Sequence, residues 1–173
     1  NGTVPPSNPR DTFAFTIGHR NPQGLAVDPE TGSIFATEHG GWRHDEVNRL
    51  QAGQNYGWPY YTCNRTKMGD APPINHTGPV WCAEEWTIAP SDAAFMDAPG
   101  HPWHGDLFVP GLRSNHVRRF IIENGSVVHE EVFYIPAGEH ISQRLRTLVP
   151  HEGEIWVLGS RKGIIRLSPP GTP

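Results

Sequence analysis

Apolar residues fall in short runs along this chain. They are rich in β-branched and aromatic members and separated by Gly, Pro and polar clusters, without the spacing of a helix face. Three stretches share one plan. The first joins residues 24–29, 31–37 and 45–50; the second joins 91–96, 105–110 and 117–122; the third joins 145–150, 153–158 and 163–167. Each reads as a strand, a turn carrying Gly, a second strand, a loop and a third strand. Units of three or four strands repeated in this way predict propeller blades. A β-sandwich also has short strands and turns, but it does not require the same three-part unit three times. The expected fold is all-β: a β-propeller, of which this chain covers about three blades.

The spacing of the units is uneven because the first carries an insertion at residues 54–86. Three blades leave two sheet faces and their edges open. Residues 1–173 are therefore expected to be the C-terminal half of a propeller, completed by an N-terminal half or by copies of the chain.

Composition agrees with the strand-and-turn reading. The 173 residues include 19 Gly and 18 Pro, too many turn formers for a helical bundle. With 6 Trp, 4 Tyr and 7 Phe spread through it, the chain has the material for a core. The net charge of −4, without a run of Lys or Arg, excludes the basic footprint of a nucleic-acid or anionic-membrane binder. No apolar stretch approaches the length of a membrane-spanning helix.

Cys63 and Cys82 bracket a polar loop within the insertion. Sequons occur at Asn1, Asn64, Asn75 and Asn124, more than composition alone would give. A Cys pair beside sequons predicts a disulfide-pinned, glycosylated surface loop and a secreted protein.

Three clusters carry candidate chemistry. In Gly18-His19-Arg20-Asn21-Pro22, Arg20 and Asn21 offer a fork of donors and an amide ahead of a strand, suited to a planar anion. In Glu38-His39-Gly40-Gly41-Trp42-Arg43-His44-Asp45-Glu46, paired glycines expose carbonyls and two carboxylates follow, a hard-oxygen set that favours calcium. His39 and His44 leave zinc open as an alternative, although the helical His-Glu-x-x-His order is absent. Arg144 and Arg146, two apart on a predicted strand, point the same way as a two-pronged cation. By themselves they could equally be a solvated strand face, as could Arg113.

Taken in order, Gly18-His19-Arg20-Asn21-Pro22-Gln23-Gly24, Asp45-Glu46-Val47-Asn48, Gly53-Gln54-Asn55-Tyr56-Gly57-Trp58-Pro59, Ile88-Ala89-Pro90-Ser91 and Arg144-Leu145-Arg146 resemble the soluble glucose/sorbosone dehydrogenase family, which uses pyrroloquinoline quinone (PQQ). The resemblance implies a six-bladed propeller with the quinone on its top face. It implies cofactor contacts from Arg20, Asn21, Thr87, Arg144 and Arg146, with Arg113 where some members carry Lys. It implies that the carbonyls of Gly40 and Gly41 bind an activating calcium, and that Glu46 and Tyr56 belong to a second, structural calcium site. The implied reaction oxidises an aldose at its anomeric carbon to a lactone. Its general base is implied upstream of Gly18, so no catalytic residue is assigned within this chain. The alternative function is a non-enzymatic secreted glycoprotein that uses the propeller as a structural, adhesive or filament-forming unit.

Overall fold

The structure is a computed structural model, and it describes residues 2–8, 11–63, 66–135, 144–160 and 163–171. The sequons at Asn1 and Asn64 lie outside the described residues. All regular elements among the described residues are strands.

The first sheet contains β1 (Pro22–Val27), β2 (Ile34–Glu38), β3 (Glu46–Leu50) and β6 (Trp81–Cys82) in the order β1-β2-β3-β6. A small hairpin, β4 (Tyr61–Thr62) and β5 (Thr66–Lys67), stands apart from it. The second sheet contains β7 (Ala94–Phe95), β8 (Leu107–Pro110), β9 (His116–Glu123) and β10 (Ser126–Tyr134) in sequential order. The third contains β11 (Leu145–His151), β12 (Glu154–Gly159) and β13 (Gly163–Leu167). All pairings within the sheets are antiparallel. The leading strands β1, β7 and β11 neighbour one another, as the inner strands of propeller blades do. The all-β expectation holds, and the three sheets form part of a β-propeller that does not close.

Period-two alternation explains the packing. Ala26, Phe35 and Val47 of blade 1 meet Ala93, Phe95, Leu107, Val109 and Phe120 of blade 2. Met96, Phe108 and Val117 of blade 2, with Trp103, meet Leu145, Leu148, Ile155 and Val157 of blade 3. Each blade thus buries one residue set against its neighbour. The alternate residues of the end blades stay exposed: Leu25 and Val27 on blade 1, Val149, Trp156, Leu158 and Ile164 on blade 3.

The stretch 54–86 is more than a surface loop. Its first residues run beside the segment before β1, through a parallel bridge between Ile17 and Asn55 and a hydrogen bond from Trp58 N to Gly18 O (2.9 Å). Its last part supplies β6, the fourth strand of blade 1. Cys63 and Cys82 form a disulfide, so the excursion is tied to that strand.

Candidate functional site

The loops carrying the singled-out residues are joined by hydrogen bonds at one end of the blades. Arg20 Nη1 donates to His39 O (3.1 Å), and the His39 ring spans Asn21 Nδ2 (3.3 Å) and Pro90 O (2.7 Å). Arg113 N donates to Ile88 O (3.2 Å), and Leu112 N to Ala89 O (2.8 Å). Leu145 N then reaches Gly111 O (3.3 Å). Residues from Arg20 to Arg144, distant in sequence, therefore border one surface. His39 donates from Nε2 to Pro90 O and accepts at Nδ1 from Asn21 Nδ2, so both ring nitrogens are engaged. That leaves it no lone pair for zinc.

Glu38 organises the segment that holds Arg20 and Asn21. Its carboxylate is buried at the end of β2. One oxygen accepts from His19 Nδ1 and Asn48 Nδ2, both at 2.9 Å; the other accepts from the amides of Arg20 (2.7 Å) and Asn21 (3.3 Å). The backbone of the Arg-Asn pair is thus set by a charge-assisted acceptor, while the Arg20 guanidinium lies 5.3 Å from the Trp58 ring centroid. Gly18 is required here: a Cβ would sit 2.7 Å from Gly57 N and 2.8 Å from Tyr56 N, and its φ is +76°.

Asp45 fixes the glycine loop. Fully buried, it accepts from Gly40 N (2.9 Å), Thr87 Oγ1 (2.8 Å), Ile88 N (2.7 Å) and Ala89 N (2.8 Å). With both oxygens engaged it ties the glycine loop to the segment 87–89. Gly40 is forced, because a Cβ would meet Arg43 O at 2.0 Å; Gly41 stands in open space and is exposed.

Glu46 lies directly opposite Glu38 on adjacent strands. It accepts from Cys63 N (2.7 Å), Thr62 Oγ1 (3.2 Å) and Asn48 Nδ2 (3.0 Å). Burial, more than any other influence, pushes its carboxyl above the usual range, with Glu38 adding to the rise. The Tyr56 phenol donates to Arg49 O (2.5 Å) and accepts from Gln51 N (3.0 Å), so its main-chain carbonyl is the group that could face a cation. Glu38, Glu46 and Tyr56 border a cavity of about 10 Å³, room for one small species. Asn48 Nδ2 bridges the two carboxylates, and its buried Oδ1 has no hydrogen-bond partner among the described residues. Two opposed carboxylates bordering one small cavity fit a hard cation.

Arg20, Arg113, Arg144 and Arg146 are all exposed. Among the described residues none of the four is paired with a carboxylate, whereas Arg118, Arg119 and Arg166 all are. Arg144 precedes β11, and Arg146 is the extra residue of a bulge between Leu145 and Thr147. The strand alternation expected of the pair is therefore replaced by a bulge, which re-aims the side chain. Arg146 Nε donates to Ser160 Oγ (3.0 Å), and Ser160 Oγ donates to Arg144 O (3.0 Å), so one hydroxyl links the two positions.

Comparison with known proteins bears on this constellation. Residues 1–166 match the family model described as Glucose / Sorbosone dehydrogenase. The chain belongs to this family. An uncharacterized protein of Synechocystis is 36% identical over 171 residues, covering 91% of this chain and 40% of its own length. An aldose sugar dehydrogenase of Escherichia coli is 28% identical over 183 residues, covering 97% of this chain and 48% of its own length. The chain thus spans about half the length of the curated relatives it matches. The PQQ-bound form of an aldose sugar dehydrogenase from Streptomyces coelicolor superposes with a TM-score of 0.74 at 28% identity, over 96% of this chain and 49% of that one.

For a glucose/sorbosone dehydrogenase family member, four arginines free of carboxylates fit a planar, polyanionic quinone. Sequence reasoning gave Glu38 no role of its own. A readable signal existed: a carboxylate directly across a strand pair from Glu46 is destabilising unless donors or a cation separate them.

Proposed function

We propose that this chain supplies the cofactor-holding half of a quinone-dependent oxidoreductase that converts an aldose to its lactone. The observation that carries the reading is the set of four arginines without carboxylate partners around one end of the blades. Family membership and the PQQ-bound relative support it.

In this reading Arg20, Asn21, Thr87, Arg113, Arg144 and Arg146 hold pyrroloquinoline quinone. When bound, that group supplies a two-electron acceptor. The guanidinium groups bind its carboxylates as forked donors, and their fixed charge favours a reduced, more anionic ligand. Glu38 holds the Arg20–Asn21 backbone in place before the ligand arrives, which lowers the ordering cost of binding. The Thr87 hydroxyl donates to Asp45 and accepts from Ala89 N (3.2 Å), which fixes its orientation at the edge of the site. Carbonyls of Gly40 and Gly41 would hold one calcium; Glu46 and the Tyr56 carbonyl would hold a second. The proton acceptor belongs to another part of the protein.

The test is dye reduction by the intact protein supplied with calcium, PQQ and a panel of aldoses. Reduction that a chelator abolishes is expected, and Arg144→Ala with Arg146→Ala should weaken PQQ binding at least tenfold. Failure to reduce dye with any aldose sinks the reading.

We also propose a secreted location. The Cys63–Cys82 disulfide supports an oxidising compartment, and Asn75 and Asn124 are exposed. Glycosidase treatment of the natural material should lower its mass; an unchanged mass argues against glycosylation.

A further inference from the structure

A groove of about 820 Å³ opens between blades 1 and 2, beside the arginine cluster. Thr87 and Arg113, two of the residues assigned to the cofactor, are part of its lining. Trp42, Trp86 and Tyr134 stand along it with 84%, 80% and 74% of their surfaces exposed. Aromatic side chains left this bare around one concavity mark a binding surface.

Charge decides what kind of ligand fits. In the floor, Arg118 pairs with Glu130, Trp81 Nε1 donates to Glu130 Oε2 (2.6 Å), and the Arg118 guanidinium lies 5.1 Å from the Trp81 ring centroid. His116 accepts from Arg118 Nε at 3.0 Å, and burial holds it neutral, with its pKa lowered to about 4. The lining also holds Arg43 and Arg113 together with Glu84 and Glu85, so neither sign dominates. The floor therefore offers no net charge to neutralise a salt-like ligand. It offers flat apolar faces alternating with hydrogen-bonding groups, the complement of a sugar ring with its C–H faces and equatorial hydroxyls. Pockets for small ligands span about 300–1,000 Å³; this one lies high in that range, and a single sugar ring leaves most of it unfilled.

We propose that the groove is an extended sugar subsite that holds the non-reducing arm of an oligosaccharide. This rests on the proposed function, because oxidation at the anomeric carbon places the reducing-end residue over the arginines. Every further residue must then lead away from that point, and the groove begins there. Trp42 and Tyr134 stack the outer sugars, and Trp86 stacks the one next to the reacting end.

The intact protein, without quinone or calcium, is titrated with glucose, xylose and mannose and with malto-, cello-, xylo- and manno-oligosaccharides of two to four residues. Tryptophan fluorescence and calorimetry read the binding. At least one series is expected to bind at least tenfold more tightly at three residues than at one. Trp42→Ala and Tyr134→Ala should each reverse most of that gain, with far-ultraviolet circular dichroism unchanged and, once quinone and calcium are restored, oxidation of the single sugar unchanged. No gain with chain length in any series overturns the proposal, and so do variants that bind like the parent. Dye reduction with single sugars and no chain-length gain removes the groove and leaves the oxidoreductase. A chain-length gain without dye reduction removes the oxidoreductase and leaves an oligosaccharide-binding groove.

Discussion

At the scale of single residues, Asp45 and His116 make opposite uses of burial. Asp45 is fully buried and accepts from four donors. Replacing it with Ala strands those donors in a dry site, each at a cost of about 1–3 kcal/mol. Asp45→Ala is expected to lower unfolding stability by more than about 3 kcal/mol in a urea titration. His116 is buried and neutral, its pKa lowered from 6.5 to about 4. The unfolded chain therefore binds a proton that the folded chain refuses between those values. Stability falls as pH drops from 6.5 towards 4, by about 1.4 kcal/mol per pH unit for one proton. His116→Gln, which can still accept from Arg118, should flatten that slope in unfolding curves taken at pH 4.5 to 7. Glu46 works the other way: its raised pKa makes ionisation cost stability as pH climbs through the folded value. Without calcium, Glu46→Gln should stabilise the protein at pH 7; with it, the variant should gain less from the metal than the parent, as read by melting temperature.

Among elements, the hairpin between β9 and β10 carries two signals in one set of letters. Asn124-Gly125-Ser126 reads as a glycosylation site, but Asn124 and Gly125 have φ of +52° and +76°, as a tight two-residue turn demands. The same letters carry turn chemistry, and Asn-Gly between alternating residues was the stronger signal. A Cβ on Gly125 would also meet the Arg49 guanidinium at 2.1–2.5 Å. Gly125→Ala should cost at least about 1 kcal/mol by chemical denaturation. The three-strand units were legible because alternation is local: the segments expected at 145–150, 153–158 and 163–167 emerge as β11, β12 and β13. The strand β6 was hidden, because two residues carry no period, and the bulges at Gln23 and Arg146 leave no pattern either. The Cys63–Cys82 pair joins residues 19 apart. Its loss through Cys63→Ser and Cys82→Ser should cost about 3 kcal/mol, the loop-closure value for that length.

For the whole molecule, the decisive fact is that blades bury residues only against other blades. Blade 2 has a neighbour on both faces, and blades 1 and 3 have one each. Leu25 and Val27 at one limit, and Val149, Trp156, Leu158 and Ile164 at the other, are core residues without a core. Exposed apolar sheet faces of this kind associate. These 173 residues expressed alone should bind a hydrophobic dye and elute above monomer size, and Leu158→Lys with Ile164→Lys should reduce both effects. The loops that carry Arg20, Thr87 and Arg113 are affected less, because blades 1 and 2 pack on each other. Asp45 has a consequence for motion across that boundary. One carboxylate holds the amide protons of Gly40, Ile88 and Ala89, which come from two blades. Those protons cannot be released one at a time without leaving the others misplaced. In deuterated water they should exchange at one shared rate, set by the parting of two loops rather than by the fraying of either.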